Sequence, residues 1–364
     1  MSLSIGIVGL PNVGKSTLFN ALTDNNILAA NYPFATIEPN TGIVPIPDER
    51  LVKLAEMYKS QKVVPATVTF VDIAGLVEGA SKGEGLGNQF LSHIRSTNAI
   101  VQVIRAFSDD NVQHVDDDHN PKKDIDVINT ELVLADLQTI EKRLPQTEKL
   151  AKSDPKIRPL VDLLHEVKAT LDGGYPLFSK GDEWREKNAE ALQDLHLLTM
   201  KPIIYLFNVD EDDLSNNERQ QELRELVAPA QCLFVCAKLE SELRGLDETD
   251  RQELLDSYGV EESGLVQLIH AAYETLGLQS YLTAGEKEVR AWTIHQGDTA
   301  PQAAGVIHTD FEKGFIAAQI INYKDLVTAG SESAAKAAGK VTTAGKDYVM
   351  QPDDVVEFRF NVSK

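Results

Sequence analysis

Residues 3–8 (Leu-Ser-Ile-Gly-Ile-Val) form a nearly continuous apolar run, a Gly-rich stretch follows, and helical periodicity begins at Lys15 and lasts to Leu22. That order predicts a buried strand, a loop and a helix. Apolar runs at 67–72, 99–105, 203–208 and 232–237 predict further buried strands, with helical patterns between several of them. Strands alternating with helices imply an α/β fold with a mainly parallel sheet covered by helices. The alternation stops between Asn129 and Leu198. There Val133, Leu137, Ile140 and Leu144 are spaced 4, 3, 4, and Leu160, Leu164, Val167 and Leu171 repeat that spacing, which predicts a helical hairpin. The segment joining the two helices carries Lys149, Lys152, Lys156 and Arg158 with Pro155 and Pro159, as an exposed basic tip would. Gly173-Gly174-Tyr175-Pro176 should end the second helix, and 184–198 reads as a third. Beyond Leu278 short strands at 289–294, 314–321 and 355–362 predict a small α+β domain.

At 364 residues the chain is long enough for two or three domains. The pattern divides it into 1–128 with 198–279, an inserted helical domain at 129–197, and a final domain at 280–364. The formal net charge of −21 disfavours coating nucleic acid by bulk charge. The insert holds 10 basic and 13 acidic residues and the tail 9 and 11, so most of the excess lies in the α/β part, and polyanion contacts are better sought on the insert and tail. No window reaches the ~18 uncharged apolar residues of a membrane span, and the first residues carry no basic leader pattern, so a cytosolic protein with no membrane contact is expected. Cys232 and Cys236 share one face of a strand without further Cys or His nearby, which reads as reduced, buried thiols rather than a metal site.

Between the first strand and helix stands Gly9-Leu10-Pro11-Asn12-Val13-Gly14-Lys15-Ser16-Thr17, which fits the pattern G-x-x-x-x-G-K-[ST] in its required context. Its glycines let backbone N–H groups close round phosphates, and the helix N-terminus adds a favourable field. Lys15 is placed to reach the β- and γ-phosphates, and the Ser16 hydroxyl to ligate Mg²⁺. Downstream, the strand ending Asp72-Ile73-Ala74-Gly75 reads as D-x-x-G, with Asp72 holding a water of the Mg²⁺ shell and the Gly75 N–H meeting a γ-phosphate. In the loop between them, Thr36 is placed to give a second Mg²⁺ hydroxyl when a γ-phosphate is present. The residue after D-x-x-G is Leu76, where familiar GTPases have a glutamine that orients the attacking water. A leucine cannot orient water, so His114, in the polar segment after the fourth strand, is the candidate for that work, and His93 reads as a surface or packing residue. Asn12 is a candidate ligand for a monovalent cation, K⁺, beside the phosphates.

GTPases read guanine with N-K-x-D, whose Asp accepts from N1–H and the N2 amino group. Here the segment is Asn208-Val209-Asp210-Glu211. Glu211 misplaces the carboxylate, so loss of guanine preference follows physically, and adenine preference follows less directly. Cys236-Ala237-Lys238 occupies the place of the S-A-K element, making Asn208, Val209, Glu211, Ala237 and Lys238 the candidate base contacts.

Taken together, these residues resemble the YchF group of Obg-like ATPases, in the translation-factor class of P-loop NTPases. The run Gly75-Leu76-Val77-Glu78-Gly79-Ala80-Ser81-Lys82-Gly83-Glu84-Gly85-Leu86-Gly87-Asn88-Gln89-Phe90 looks like the Obg glycine-rich switch, and Asn31-Tyr32-Pro33-Phe34 with Thr36-Ile37 its first switch. Phe311-Glu312-Lys313-Gly314-Phe315 and Ala300-Pro301-Gln302-Ala303-Ala304-Gly305 resemble the TGS module, a β-grasp domain. The resemblance implies an ATPase that tolerates GTP, keeps a hydrophobic residue at the catalytic glutamine position and associates with ribosomes. RNA would then lie in a cleft between insert, G domain and tail, near Arg105, Lys149, Lys152, Lys156 and Arg158. Two departures stand out. Gln351-Pro352-Asp353-Asp354 replaces a D-G-D turn, and Pro145 should kink or end the first helix of the insert. Two other readings remain: a GTPase with relaxed base reading, and a nucleotide-gated binding or inhibitor module whose hydrolysis is incidental.

Overall fold

The computed structural model describes residues 3–24, 40–73, 86–108 and 120–361. They divide into two compact units: Met1–Ile43 with Thr69–Leu276, and Val44–Val68 with Gly277–Lys364.

In the first unit β1 (Ser4–Gly9) runs into the Gly-rich loop and α1 (Lys15–Asp24). After β2 (Thr41–Pro45), the chain makes α2 (Glu49–Tyr58) and β3 (Val63–Val64) in the other unit and returns as β4 (Thr67–Asp72). Then come α3 (Leu86–Ser96) and β5 (Ala99–Arg105). The insert contributes α4 (Pro121–Ser153), α5 (Arg158–Asp172) and α6 (Asp182–Leu192). The unit closes with β6 (Ile203–Asn208), α7 (Asn217–Val227), β7 (Gln231–Val235), α8 (Ala237–Glu242), α9 (Glu248–Ser257) and α10 (Gly264–Thr275).

The sheet order is β2-β4-β1-β5-β6-β7, and β4, β1, β5, β6 and β7 pair in parallel. β1, β5 and β6 are buried almost throughout, as the unbroken apolar runs require of strands covered on both faces. The carboxyl ends of β1, β4 and β6 carry the Gly-rich loop, Asp72 and Asn208, so one edge of the sheet collects the candidate chemistry.

In the insert, Val133, Ile140 and Leu144 of α4 meet Leu164, Val167 and Leu171 of α5 in one core with Leu177, Leu192 and Leu197. Each such side chain stabilises by roughly 1.5–3 kcal/mol. α4 runs unbroken through Pro145 to Ser153. Pro145 is exposed, so the carbonyl its ring leaves without a donor faces water and the helix survives. The third helix stops at Leu192, six residues earlier than the pattern suggested. Two 3₁₀ turns replace its end, because the chain doubles back to bury Leu197 and Leu198. Buried Asp136 of α4 fixes that return, accepting from the Leu198 and Thr199 N–H groups at 2.8 and 2.7 Å and from the Thr199 hydroxyl at 2.7 Å.

The second unit adds β8 (Leu278–Ala284), β9 (Val289–His295), α11 (Ala300–Ile307), α12 (Thr309–Lys313), β10 (Phe315–Asn322), α13 (Tyr323–Ala329), α14 (Glu332–Ala337), β11 (Val341–Ala344) and β12 (Asp354–Phe360). Its sheet order is β11-β10-β12-β8-β9-β3. Ala300, Ala303 and Ala304 bring α11 close enough to pack with Tyr281, Ile294, Phe315 and Val356. This is the α+β tail the pattern indicated, with the β-grasp character the resemblance implied. Residues 44–68, assigned by the pattern to the α/β part, belong instead with this unit. β3 pairs in parallel with β9, and the Val289 N–H donates to the Lys62 carbonyl at 2.9 Å. The turn at 351–354 needs no left-handed residue: the Asp354 N–H closes it on the Gln351 carbonyl at 3.1 Å, and buried Asp354 accepts from the Gln351 N–H at 2.8 Å.

Candidate functional site

The Gly-rich loop is shaped by two left-handed positions, Asn12 (φ 65°) and Gly14 (φ 92°). At Gly14 a Cβ would stand 2.3 Å from Asn208 Nδ2, so glycine is required by both conformation and space. At Gly9 it would meet the Val103 carbonyl at 2.9 Å. Leu10 and Val13 are buried beneath the loop, while Pro11, Asn12, Ser16 and Thr17 are exposed. The first turn of α1 leaves N–H groups without intrahelical partners, which is the donor array an anion needs. Lys15, 9% exposed, forms an ion pair with Asp72 at the end of β4. The phosphate loop and the end of β4, two of the segments predicted to meet phosphate and Mg²⁺, are thus brought together.

Asn208 plays a part the motif does not announce. It is buried, its Nδ2 donates to the Val13 carbonyl at 3.0 Å, and its Oδ1 accepts from the Ala237 N–H at 3.0 Å. Its side chain therefore braces the phosphate loop against the start of α8, using one of the two Nδ2 hydrogens and one Oδ1 lone pair. Val209 is also buried, its N–H bound to the Val235 carbonyl at 2.8 Å. Asp210, passed over in the sequence, accepts from the Ser108 N–H at 3.0 Å and ties β5's end to this turn. Glu211 and Lys238 pair at 2.7 Å beside Ala237. Cys236 is buried and Cys232 half-buried, both reduced, and burial pushes both thiols up.

Thr36, Gly75, Leu76 and His114 lie outside the described residues. His93 is exposed on α3. Among the described residues there is no group of three or more His, Cys, Asp or Glu able to hold a metal. A Mg²⁺ ion accompanying a nucleotide suits the oxygen donors that are present, the exposed Ser16 hydroxyl and the Asp72 carboxylate, whose Oδ1 faces Lys15. No helix among the described residues is long and apolar enough to cross a membrane.

Arg105 departs from its expected place near RNA phosphate: it is 2% exposed and stacks on Phe107 at 4.5 Å, so it cannot serve as a surface contact. Lys149, Lys152, Lys156 and Arg158 are exposed at the insert tip, as the sequence implied. Acidic residues of α4 turn toward α5, Glu141 to Lys168 at 3.8 Å and Glu148 to His165 at 3.0 Å. Arg95, Lys142 and Arg143 line a separate groove of about 380 Å³ between α3 and α4.

The parallel sheet, the phosphate loop at its carboxyl edge and the Lys15–Asp72 pair define a P-loop NTPase of the GTPase type. Residues 4–157 match the 50S ribosome-binding GTPase family, and 278–361 match the YchF GTPase C-terminal domain, described as a protein of unknown function. The chain is 51% identical to the ribosome-binding ATPase YchF of Bacillus subtilis, with all of both chains covered. It is 43% identical to Obg-like ATPase 1 of Pongo abelii over 99% of this chain and 93% of that one. The solved YchF GTPase of Schizosaccharomyces pombe superposes with a TM-score of 0.87 at 40% identity, covering 98% of each chain. The chain belongs to the YchF family of Obg-like ATPases.

Proposed function

We propose that this protein is a Mg²⁺-dependent ATPase, preferring ATP to GTP, whose nucleotide state switches its association with ribosomes. The observation that supports the reading is the base end of the site, where Glu211 stands in place of the guanine-reading Asp and pairs with Lys238. The names of relatives, ribosome-binding ATPase and Obg-like ATPase, agree with it.

In this reading the loop N–H groups of residues 9–17 and the Lys15 ammonium hold the phosphates, and Lys15 exchanges Asp72 for phosphate oxygens as nucleotide enters. Ser16, Thr36 and Asp72 through a water would hold Mg²⁺, which neutralises charge on the phosphate oxygens. Gly75 would donate its N–H to the γ-phosphate. Because Leu76 cannot position water, intrinsic hydrolysis is slow and His114 supplies the positioning group. Asn12 would hold K⁺ beside the phosphates. Ordering of Thr36 and the Gly-rich segment after Asp72 by ATP, and their release on hydrolysis, forms the switch. Lys149, Lys152, Lys156 and Arg158 serve as RNA phosphate contacts, and the protein works in the cytosol.

ATP turnover with and without ribosomes tests the reading. Stimulation by ribosomes is the expected result, while equal rates favour the binding module kept open by Leu76. His114→Ala should lower turnover severalfold at unchanged nucleotide affinity, and K⁺ should support faster turnover than Na⁺. Equal rates in the two salts would remove the cation from Asn12.

A further inference from the structure

At the carboxyl edge of β6 and β7 two short segments end side by side. Glu211 opens the 3₁₀ turn after Asn208-Val209-Asp210, and Lys238 lies in the first turn of α8. Their backbones are tied together by the Asn208 Oδ1 to Ala237 N–H bond and the Val209 N–H to Val235 carbonyl bond. Across that fixed frame Lys238 Nζ meets Glu211 Oε1 at 2.7 Å. The Glu211 side chain is 26% exposed and that of Lys238 70%. Glu242 and Tyr258 act electrostatically on Lys238, and Glu211 acts on Tyr258 and on the Cys236 thiol. The Tyr258 phenol is pushed up first by Glu211 and then by burial and by Glu242, and the Lys238 ammonium is pushed up by Glu211. Lys238 is thus the cation set among these acidic and acid-forming groups.

A free carboxylate at this place would accept from the N1–H and N2–H donors of guanine and would face the N1 lone pair of adenine without gain. A carboxylate held at one oxygen by an ammonium is turned toward that cation and has its charge balanced, which makes it a weaker acceptor for the base. We infer that Lys238 determines base specificity as a positioning residue: by holding the Glu211 carboxylate in an ion pair, it withdraws the acceptor that guanine would use. Specificity then depends on two residues, with the length of Glu211 giving reach to Lys238 and the pair silencing guanine recognition. The inference rests on the nucleotide-binding reading above. An ion pair this exposed has a modest effect, so the expected change is about two- to fivefold.

The test is titration of the full-length protein, with non-hydrolysable ATP and GTP analogues and Mg²⁺, on wild type, Lys238→Met, Lys238→Arg and the double variant Lys238→Met/Glu211→Gln. Lys238→Met should strengthen GTP and lower the ATP-to-GTP affinity ratio about two- to fivefold. Lys238→Arg, which keeps the cation, should hold the ratio at the wild-type value. The double variant should return toward it, because no free carboxylate remains. An unmoved ratio in Lys238→Met, including an equal loss of both nucleotides, overturns the inference, as does the same shift with Glu211 already neutral. A wild type that binds neither nucleotide, or GTP ten-fold tighter, defeats the ATPase reading itself.

Discussion

Asn208 shows how one buried side chain can tie two parts of a site together. It is buried and both ends of its amide are used, so Asn208→Ala strands the Ala237 N–H and the Val13 carbonyl together. The expected cost is about 1–3 kcal/mol of stability and a weaker grip on ATP, read by urea unfolding and by titration. A variant as stable as wild type would deny the bracing role. The phosphate loop itself was legible from its residues, since G-x-x-x-x-G-K-[ST] between a strand and a helix fixes where Lys15 and Ser16 stand. The inward turn of Asn208 was not legible, because the N-x-x-E spacing states residue types and leaves open which atoms they face. Arg105 was misread for a related reason: a charge at a strand's end looks solvated, and only the packing on Phe107 reveals it as buried.

Among the elements, α8 and α10 are joined by a buried acid. Glu240, 5% exposed, accepts from the Leu265 N–H at 3.2 Å, and burial pushes its carboxyl up to about 7. A raised carboxyl pKa means the folded protein binds that proton more tightly than the unfolded chain. Its contribution is present below the ordinary carboxyl range and is lost as pH rises through 7. From pH 5 to 8 the wild type should lose on the order of 2–3 kcal/mol through this group, while Glu240→Gln should show a flatter profile in urea unfolding. Parallel slopes would contradict it. Strand positions at 67–72, 99–105 and 203–208 were legible to the residue: the latter two are buried throughout and rich in apolar residues, and the first alternates buried Val68 and Phe70 with half-buried threonines. Helix ends in the insert were not. Pro145 marks a break that its exposed position cancels, and the stop at Leu192 depends on Asp136, 62 residues from Leu198 in sequence.

For the whole molecule, the transfer of Val44–Val68 to the C-terminal unit is the largest feature the sequence concealed. Its helix α2 has the same apolar periodicity whichever sheet it covers, so its allegiance is decided by contacts distant in sequence, the pairing of β3 with β9 and the Arg50 bonds to the Pro352 carbonyl and Asp353. Charge at this scale shapes the partner. In a chain of net charge −21, the exposed cations Lys149 and Lys152 at the insert tip should carry RNA contact. Lys149→Glu with Lys152→Glu should weaken ribosome binding and reduce its salt dependence in sedimentation at graded salt. A salt-independent interaction in the wild type would exclude phosphate contacts. The ATP preference is the central claim, and calorimetric titration with Mg²⁺-ATP and Mg²⁺-GTP analogues, repeated on Glu211→Asp, tests it most directly. Tighter binding of ATP by the wild type, with Glu211→Asp moving toward GTP, is the predicted result. GTP binding ten-fold tighter, about 1.4 kcal/mol, would contradict it and make the protein an Obg-like GTPase.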